Sequence, residues 1–162
     1  MRQQKMNIRS LLIILSMSPV LYSENFGIVV HGGAGVMSDI SEEKQNLIHK
    51  KIQETVSEAY LLLERGGSGL DAVELAVSML EDSPLFNAGR GSVYNSDGVQ
   101  EMDASIMDGK NRTTGAVASV SIVKNPVKLA RKVAEQTNHV LIVGKGAERF
   151  AKKADIEIVD RN

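Results

Sequence analysis

A chain of 162 residues that is 43% hydrophobic can bury one core of ordinary size, so a single domain, or part of one, is expected rather than two. Its 19 basic and 20 acidic residues leave a formal charge of -1 and run along the whole length without a basic stripe interleaved with aromatics, which argues against a nucleic-acid surface. Cysteine is absent, removing disulfides, thiolate metal sites and thiol nucleophiles together, and the three histidines (His31, His49, His139) lack zinc-ligand spacing, so no transition metal is expected.

In chain order, Arg2, Lys5 and Arg9 precede the apolar run Leu11-Leu12-Ile13-Ile14-Leu15. This pattern predicts a signal peptide over 1–23, with cleavage after Ser23, and a periplasmic or secreted domain over 24–162. The run is too short to cross a bilayer, which takes about 20 apolar residues. The other reading is an N-terminal extension with no such role. Phe26-Gly27-Ile28-Val29-Val30 then predicts a short buried strand that ends at a glycine cluster, His31-Gly32-Gly33-Ala34-Gly35.

Ser41 is a candidate N-cap, with Glu42 and Glu43 in the first turn of a helix whose inner stripe is Ile48, Ile52, Val56, Ala59 and Leu63. That helix stops at Gly66-Gly67, and Ser68 and Asp71 have capping-box spacing for a second one, with Leu70, Val73, Ala76, Val77 and Leu80 inward. Asp82-Ser83-Pro84 ends it. The stretch Pro84-Leu85-Phe86-Asn87-Ala88-Gly89-Arg90-Gly91-Ser92 combines a turn, an aromatic anchor, a side-chain amide and two glycines that free the backbone. It reads either as a plain turn or as a loop that holds Asn87 fixed in a polar site. Together with the cluster at 31–35 it suggests one cleft built from two glycine-rich loops.

Beyond it, Val93-Tyr94, the turn Asn95-Ser96-Asp97-Gly98 and residues 102–107 predict antiparallel strands joined by tight turns. Residues 115–123, small or apolar on both faces, predict a central strand with layers above and below. Asn125 as N-cap and Pro126 at the first helical position open a helix with Val127, Ala130, Val133 and Ala134 inward. A buried strand over 139–143, a helix from Gly144 through Ala154, and the start of a strand over 156–159 complete the pattern. The order predicts an α+β fold, mixed sheet against helices, rather than a regular α/β alternation. The cluster at His31 lacks the last glycine of G-x-G-x-x-G, so a dinucleotide site is not expected.

Five motifs in order carry a resemblance: Val29-Val30-His31-Gly32-Gly33-Ala34-Gly35, Gly69-Leu70-Asp71-Ala72-Val73, the 84–91 loop with Asn87-Ala88-Gly89, Met102-Asp103-Ala104-Ser105-Ile106-Met107-Asp108-Gly109, and Gly115-Ala116-Val117-Ala118. Together they resemble the α half of plant-type L-asparaginases, also called isoaspartyl peptidases. The resemblance implies the first half of an αββα sandwich of the N-terminal nucleophile hydrolase type, in which a precursor cleaves itself before a threonine. That hydroxyl then attacks the substrate amide, with its own α-amine as base. It also implies that Asn87 positions the nucleophile end of the site, and that His31, Gly32, Gly33 and Gly35 line the substrate pocket. A structural sodium ion would be held by the backbone carbonyls of Leu80, Glu81, Phe86, Ala88 and Arg90, with no other cofactor.

In that family the threonine, the groups that grip the substrate's α-carboxylate and α-amine, and the oxyanion donors belong to the β half. No residue over 1–162 matches them, so the catalytic set is empty and a complementary β subunit in an (αβ)2 assembly is the expected partner. Substrates would be L-asparagine or isoaspartyl dipeptides, and an uncovered sheet face is expected where the second half would lie. The alternative is an inactive remnant or binding module of the same fold. Thr114, ahead of a buried strand, is a decoy nucleophile: Arg112 and Thr113 stand where a glycine would precede the scissile bond. Asp103 and Asp108 read as turn and sheet-end hydrogen bonders, and His31 either as an orienting group for its loop or as a structural histidine.

Overall fold

A computed structural model of the chain describes residues 26–34 and 40–159. The leader expected over 1–23 and its cleavage site lie outside these residues. Helix α1 spans Glu42–Glu64 and α2 spans Gly69–Glu81; β1 (Met102–Asp108) and β2 (Thr113–Val120) follow, then α3 (Pro126–Gln136), β3 (Leu141–Val143) and α4 (Gly144–Lys153). The sheet order is β1-β2-β3, with β1 antiparallel to β2 and β2 parallel to β3. This is an α+β arrangement with a small mixed sheet.

Local chemistry sets the helix starts. Ser41 accepts the Lys44 N–H through its hydroxyl. Ser68 and Asp71 form the capping box that their spacing predicts: Ser68 Oγ accepts the Asp71 N–H at 3.1 Å, and Asp71 Oδ2 accepts the Ser68 N–H at 3.3 Å. Asp71 also meets Arg131 of α3 at 2.7 Å, and the same guanidinium reaches Glu135 at 2.7 Å and Glu74 at 3.4 Å, tying α2 to α3. The Ser68 hydroxyl, then the Arg131 guanidinium, hold the Asp71 carboxyl below its ordinary 3.8.

The main core lies between the inner sheet face and the helices. Met102 and Ile106 of β1, Val117 and Val120 of β2, Val127, Leu129, Ala130 and Val133 of α3, and Ala147 and Ala151 of α4 form one buried cluster. Each fully buried Val or Leu here contributes about 2 kcal/mol. A smaller cluster of Ala59, Ala72 and Ala76 joins α1 to α2, with Ile28 and Val30 against it. Helix α3 lies so close to β2 that a methyl group on Gly115 would run into the Ala130 carbonyl and the Ala134 backbone nitrogen. Only glycine fits there.

One irregularity keeps β2 in phase. Val117 pairs with Ala104 and Val120 with Met102, so two steps along β1 face three along β2. Ser119 takes up the difference as a bulge with φ 52, its N–H donated to Asp103 Oδ1 at 2.8 Å. Both valines thereby face the core.

The stretch over 26–30, expected as a buried strand, pairs with no strand among the described residues: Ile28 and Val30 are half-buried while Val29 is 96% exposed. Its side chains alternate as in a strand, but β1, β2 and β3 lie elsewhere. Of the two layers expected over β2, the described residues supply one, on the inner face. The other face carries Met107, Ala116, Ala118, Leu141 and Val143, with Met107 65% exposed, so β3 is half-exposed rather than buried. Val93-Tyr94 contributes only the bridge Tyr94–Gln100, and the segment near 158 only the bridge Ile158–Val123.

Gly115→Ala is expected to cost about 3 kcal/mol by forcing α3 off β2. Gly109→Ala, where a methyl group meets nothing within 4 Å, should move a urea midpoint hardly at all. Acid unfolding tests Asp71. Its folded value lies below 3.8, so its contribution is fully present above that pH and is lost as pH falls through the folded value. The melting-temperature gap between the parent and Asp71→Asn should therefore be constant from neutral pH down to about 5 and close below 3.8.

Candidate functional site

The 84–91 loop follows the C-terminal end of α2 and is built from contacts between its own backbone and that helix end. Gly89, at φ 51, presses on the backbone of Glu81, where any Cβ would collide with the Glu81 carbonyl; Gly91 presses likewise on the Phe86 carbonyl. Ser92 closes the curl by donating its hydroxyl to the Gly89 carbonyl at 2.9 Å. Phe86 is buried, as an anchor should be. Asn87 is exposed, and its Oδ1 accepts the Val93 N–H at 2.9 Å, which fixes the side chain; among the described residues nothing accepts from its Nδ2. A pinned, outward-facing amide remains with two N–H donors to offer.

The structure brings the two glycine-rich loops together. A methyl group on Gly32 would lie 3.0 Å from Phe86 Cε1 and 2.9 Å from Ile52 Cδ1, so the 31–34 segment rests on the ring that anchors Asn87. His31 is exposed, and its Nδ1 accepts the Gly33 N–H at 3.1 Å, orienting its own loop, with Gly33 at φ 107. Gly35 lies outside the described residues. Leu80, Glu81, Phe86, Ala88 and Arg90 all lie in or beside the curl, and the Leu80, Phe86 and Ala88 carbonyls accept N–H groups from Ser83, Ala88 and Gly91.

Two acidic residues at the end of α2 escape sequence reasoning. A helix C-terminus disfavours carboxylates, yet Glu81 and Asp82 stand there in succession. Both reach across to the start of α3, where the helix dipole suits them. Glu81 Oε1 accepts the Val127 N–H at 3.0 Å and Asp82 Oδ1 accepts from Asn125 Nδ2 at 3.0 Å. Asn125, predicted to cap α3 with its own side chain, makes no such bond; Glu81 serves from another helix. Glu81 is only 4% exposed, its Oε2 has no hydrogen-bond partner among the described residues, and burial pushes its carboxyl up to about 7 against the Val127 N–H, which draws it down. The sequence signal was present: Glu81 follows Val77 by four residues and so shares its inward stripe.

Thr114 is not poised as a nucleophile, because its hydroxyl donates to the Ile106 carbonyl across the hairpin at 3.1 Å. Asp103 holds Ser119, and Asp108 caps its turn by accepting from the Lys110 N–H and Asn111 Nδ2. Among the described residues no group of three or more His, Asp or Glu is arranged to hold a metal ion, and no helix is long and apolar enough to cross a membrane. A crevice of about 1550 Å³ opens between Phe26, the α1–α2 turn and the 107–111 hairpin tip. It adjoins the N-terminal end of α2, about 20 Å along that helix from the Asn87 loop. It also flanks the unpaired 26–30 segment, so it is open space beside a strand rather than a part of the loop cluster.

Comparison with known proteins places these features in context. The asparaginase family model matches residues 24–162. The isoaspartyl peptidase/L-asparaginase of Rattus norvegicus is 54% identical over 124 residues, 76% of this chain and 37% of its own length. Plant-type L-asparaginases of Pyrococcus furiosus and Thermococcus kodakarensis are 53% and 50% identical over 77% and 82% of this chain. The chain spans about two-fifths of the length of the relatives it matches: 40% and 42% of these last two.

Asn87→Ala removes one exposed acceptor, so it should cost less than about 1 kcal/mol in a denaturant titration. The variant is thereby a clean probe of chemistry. A larger loss would mean that Asn87 is held for stability.

Proposed function

Because the chain belongs to the asparaginase family of plant-type L-asparaginases and isoaspartyl peptidases, we propose that it forms the α portion of a hydrolase acting on L-asparagine or β-aspartyl (isoaspartyl) dipeptides. The nucleophile would be an N-terminal threonine carried by a complementary β portion. Its hydroxyl attacks the side-chain amide carbonyl while its α-amine takes the proton and passes it to the departing ammonia or amino-acid amine as the C–N bond breaks, and water then hydrolyses the acyl-enzyme. The observation that carries this chain's share is the pinned amide of Asn87 on a loop abutting the His31 loop. Asn87 Nδ2 would donate to the threonine end of the site, and the backbone of the 31–35 segment would border the substrate.

The place of the β portion is supported by what the fold leaves open. The outer sheet face exposes Met107, Leu141 and Val143, and among the described residues no strand pairs with the 26–30 segment. A second sheet on that face and a strand along 26–30 would cover both. Two such αβ units would make the (αβ)2 assembly.

The curl after α2 fits a hard monovalent cation by its chemistry: its candidate donors are carbonyl oxygens, and those of Phe86 and Ala88 each keep a lone pair beyond the bond they accept, while that of Leu80 accepts from both Asp82 and Ser83. With Glu81 and Arg90 they would hold sodium, whose part is to brace the loop. The export leader over 1–23 is supported by the basic and apolar pattern of that stretch and by a family match that starts at residue 24.

Combining the chain with the β portion of the Pyrococcus furiosus relative tests this reading. Expected are a stable complex, ammonia released from L-asparagine or aspartate from a β-aspartyl dipeptide, and about 100-fold lower kcat in Asn87→Ala. Met107→Lys together with Leu141→Lys should block assembly. A complex that forms and hydrolyses nothing would instead favour a binding module.

A further inference from the structure

The structure assigns to Glu81 a positioning role: its side chain, fastened to the N-terminus of α3, holds the floor of the 84–91 loop and thereby the aim of Asn87. This rests on the reading of Asn87 given above.

A chain of contacts runs outward from Glu81. Its Oε1 accepts the Val127 N–H at 3.0 Å, so the residue is tied to α3, itself locked to β2 at Gly115. Its backbone is the surface on which Gly89 rests without room for a single methyl group. Gly89 in turn accepts the Ser92 hydroxyl at 2.9 Å, and the next residue, Val93, donates the bond that fixes Asn87 at 2.9 Å. The path from α3 to the amide is short, and Glu81 is its first link. Burying a carboxylate at 4% exposure, with Oε2 left unpartnered, is a cost that an apolar residue on the same stripe would avoid. Stability alone does not account for an acid here. Fixing one helix end against another, through a bond with a defined direction, does.

Amide hydrogen exchange on the full chain tests this without reference to activity. Glu81→Ala should speed exchange of the Val93 and Gly91 N–H groups about tenfold or more while the amides of α1 stay near the parent rate. Glu81→Gln keeps an oxygen that accepts from Val127, so it should leave both rates near the parent. Glu81→Asp keeps the charge but falls one methylene short of Val127, so it should behave like Glu81→Ala, and it serves if the alanine variant does not fold. The proposal is overturned if the Val127 N–H loses protection while Val93 keeps its own, or if all amides accelerate together. It is equally overturned if neither Glu81→Ala nor Glu81→Asp folds while Glu81→Gln does, which would make the residue a support of the whole domain. In the complex with a β portion, Glu81→Ala should lower kcat about tenfold with KM little changed, and adding Glu81→Ala to Asn87→Ala should cost nothing further. If the parent complex is inactive, the hydrolase reading fails, and the exchange result still decides the role of Glu81.

Discussion

The closeness of α3 to β2 is the constraint on which the arrangement turns. At Gly115 the strand offers no side chain, and α3 settles onto its backbone. Val127, Leu129, Ala130 and Val133 then bury together against Val117 and Val120, and α3 becomes the fixed body of the domain. Helix α2 is referenced to it at both ends, by the Arg131 cluster near its start and by Glu81 and Asp82 at its finish. The loop that carries Asn87 inherits its position from that second attachment. A methyl group at 115 would thus be felt at 87, through rigid elements rather than through any special pathway.

Charges in this frame are used where geometry gives them direction. Arg131 presents a planar fork to three carboxylates on two helices, a task that a lysine's point charge performs poorly. Glu148 on α4 accepts the Ser121 N–H at 3.1 Å, so the connection from β2 to α3 is held by Glu148 at its start and by Glu81 and Asp82 at its end. Carboxylates meeting backbone N–H groups satisfy donors that a strand end and a helix start would otherwise leave bare. They also fix the angle at which the chain turns from sheet to helix.

What was legible in the sequence was local. Ser41, and Ser68 with Asp71, announced helix starts because a cap needs only residues three apart. The helical stripes were readable for the same reason, save Val73, expected inward on α2 and found 44% exposed; the two glycine clusters, expected to line one cleft, meet at Phe86. The failures were of distance. Asn125 has the letters of a cap, but its amide is drawn to Asp82, 43 residues away, and the cap arrives from Glu81 instead. The stretch at 26–30 has the alternation of a strand, but pairing requires a neighbour, which no local pattern supplies. Nothing in Ser119 marks a left-handed residue, since serine has no such preference; the bulge exists because Val117 and Val120 both belong inside.

That bulge has a bearing on which changes in length the chain can accept. A strand counts in twos, and Ser119 is the odd member that resets the count between Val117 and Val120. Removing it would leave a regular ladder in which Val120, now two residues after Val117, still faces the core opposite Met102. Within β2 the loss of one residue is therefore absorbed at 119, whereas elsewhere in the strand it would turn the later side chains to the other face. Where a related chain is one residue shorter in this strand, the gap belongs at Ser119, however well the letters match to either side.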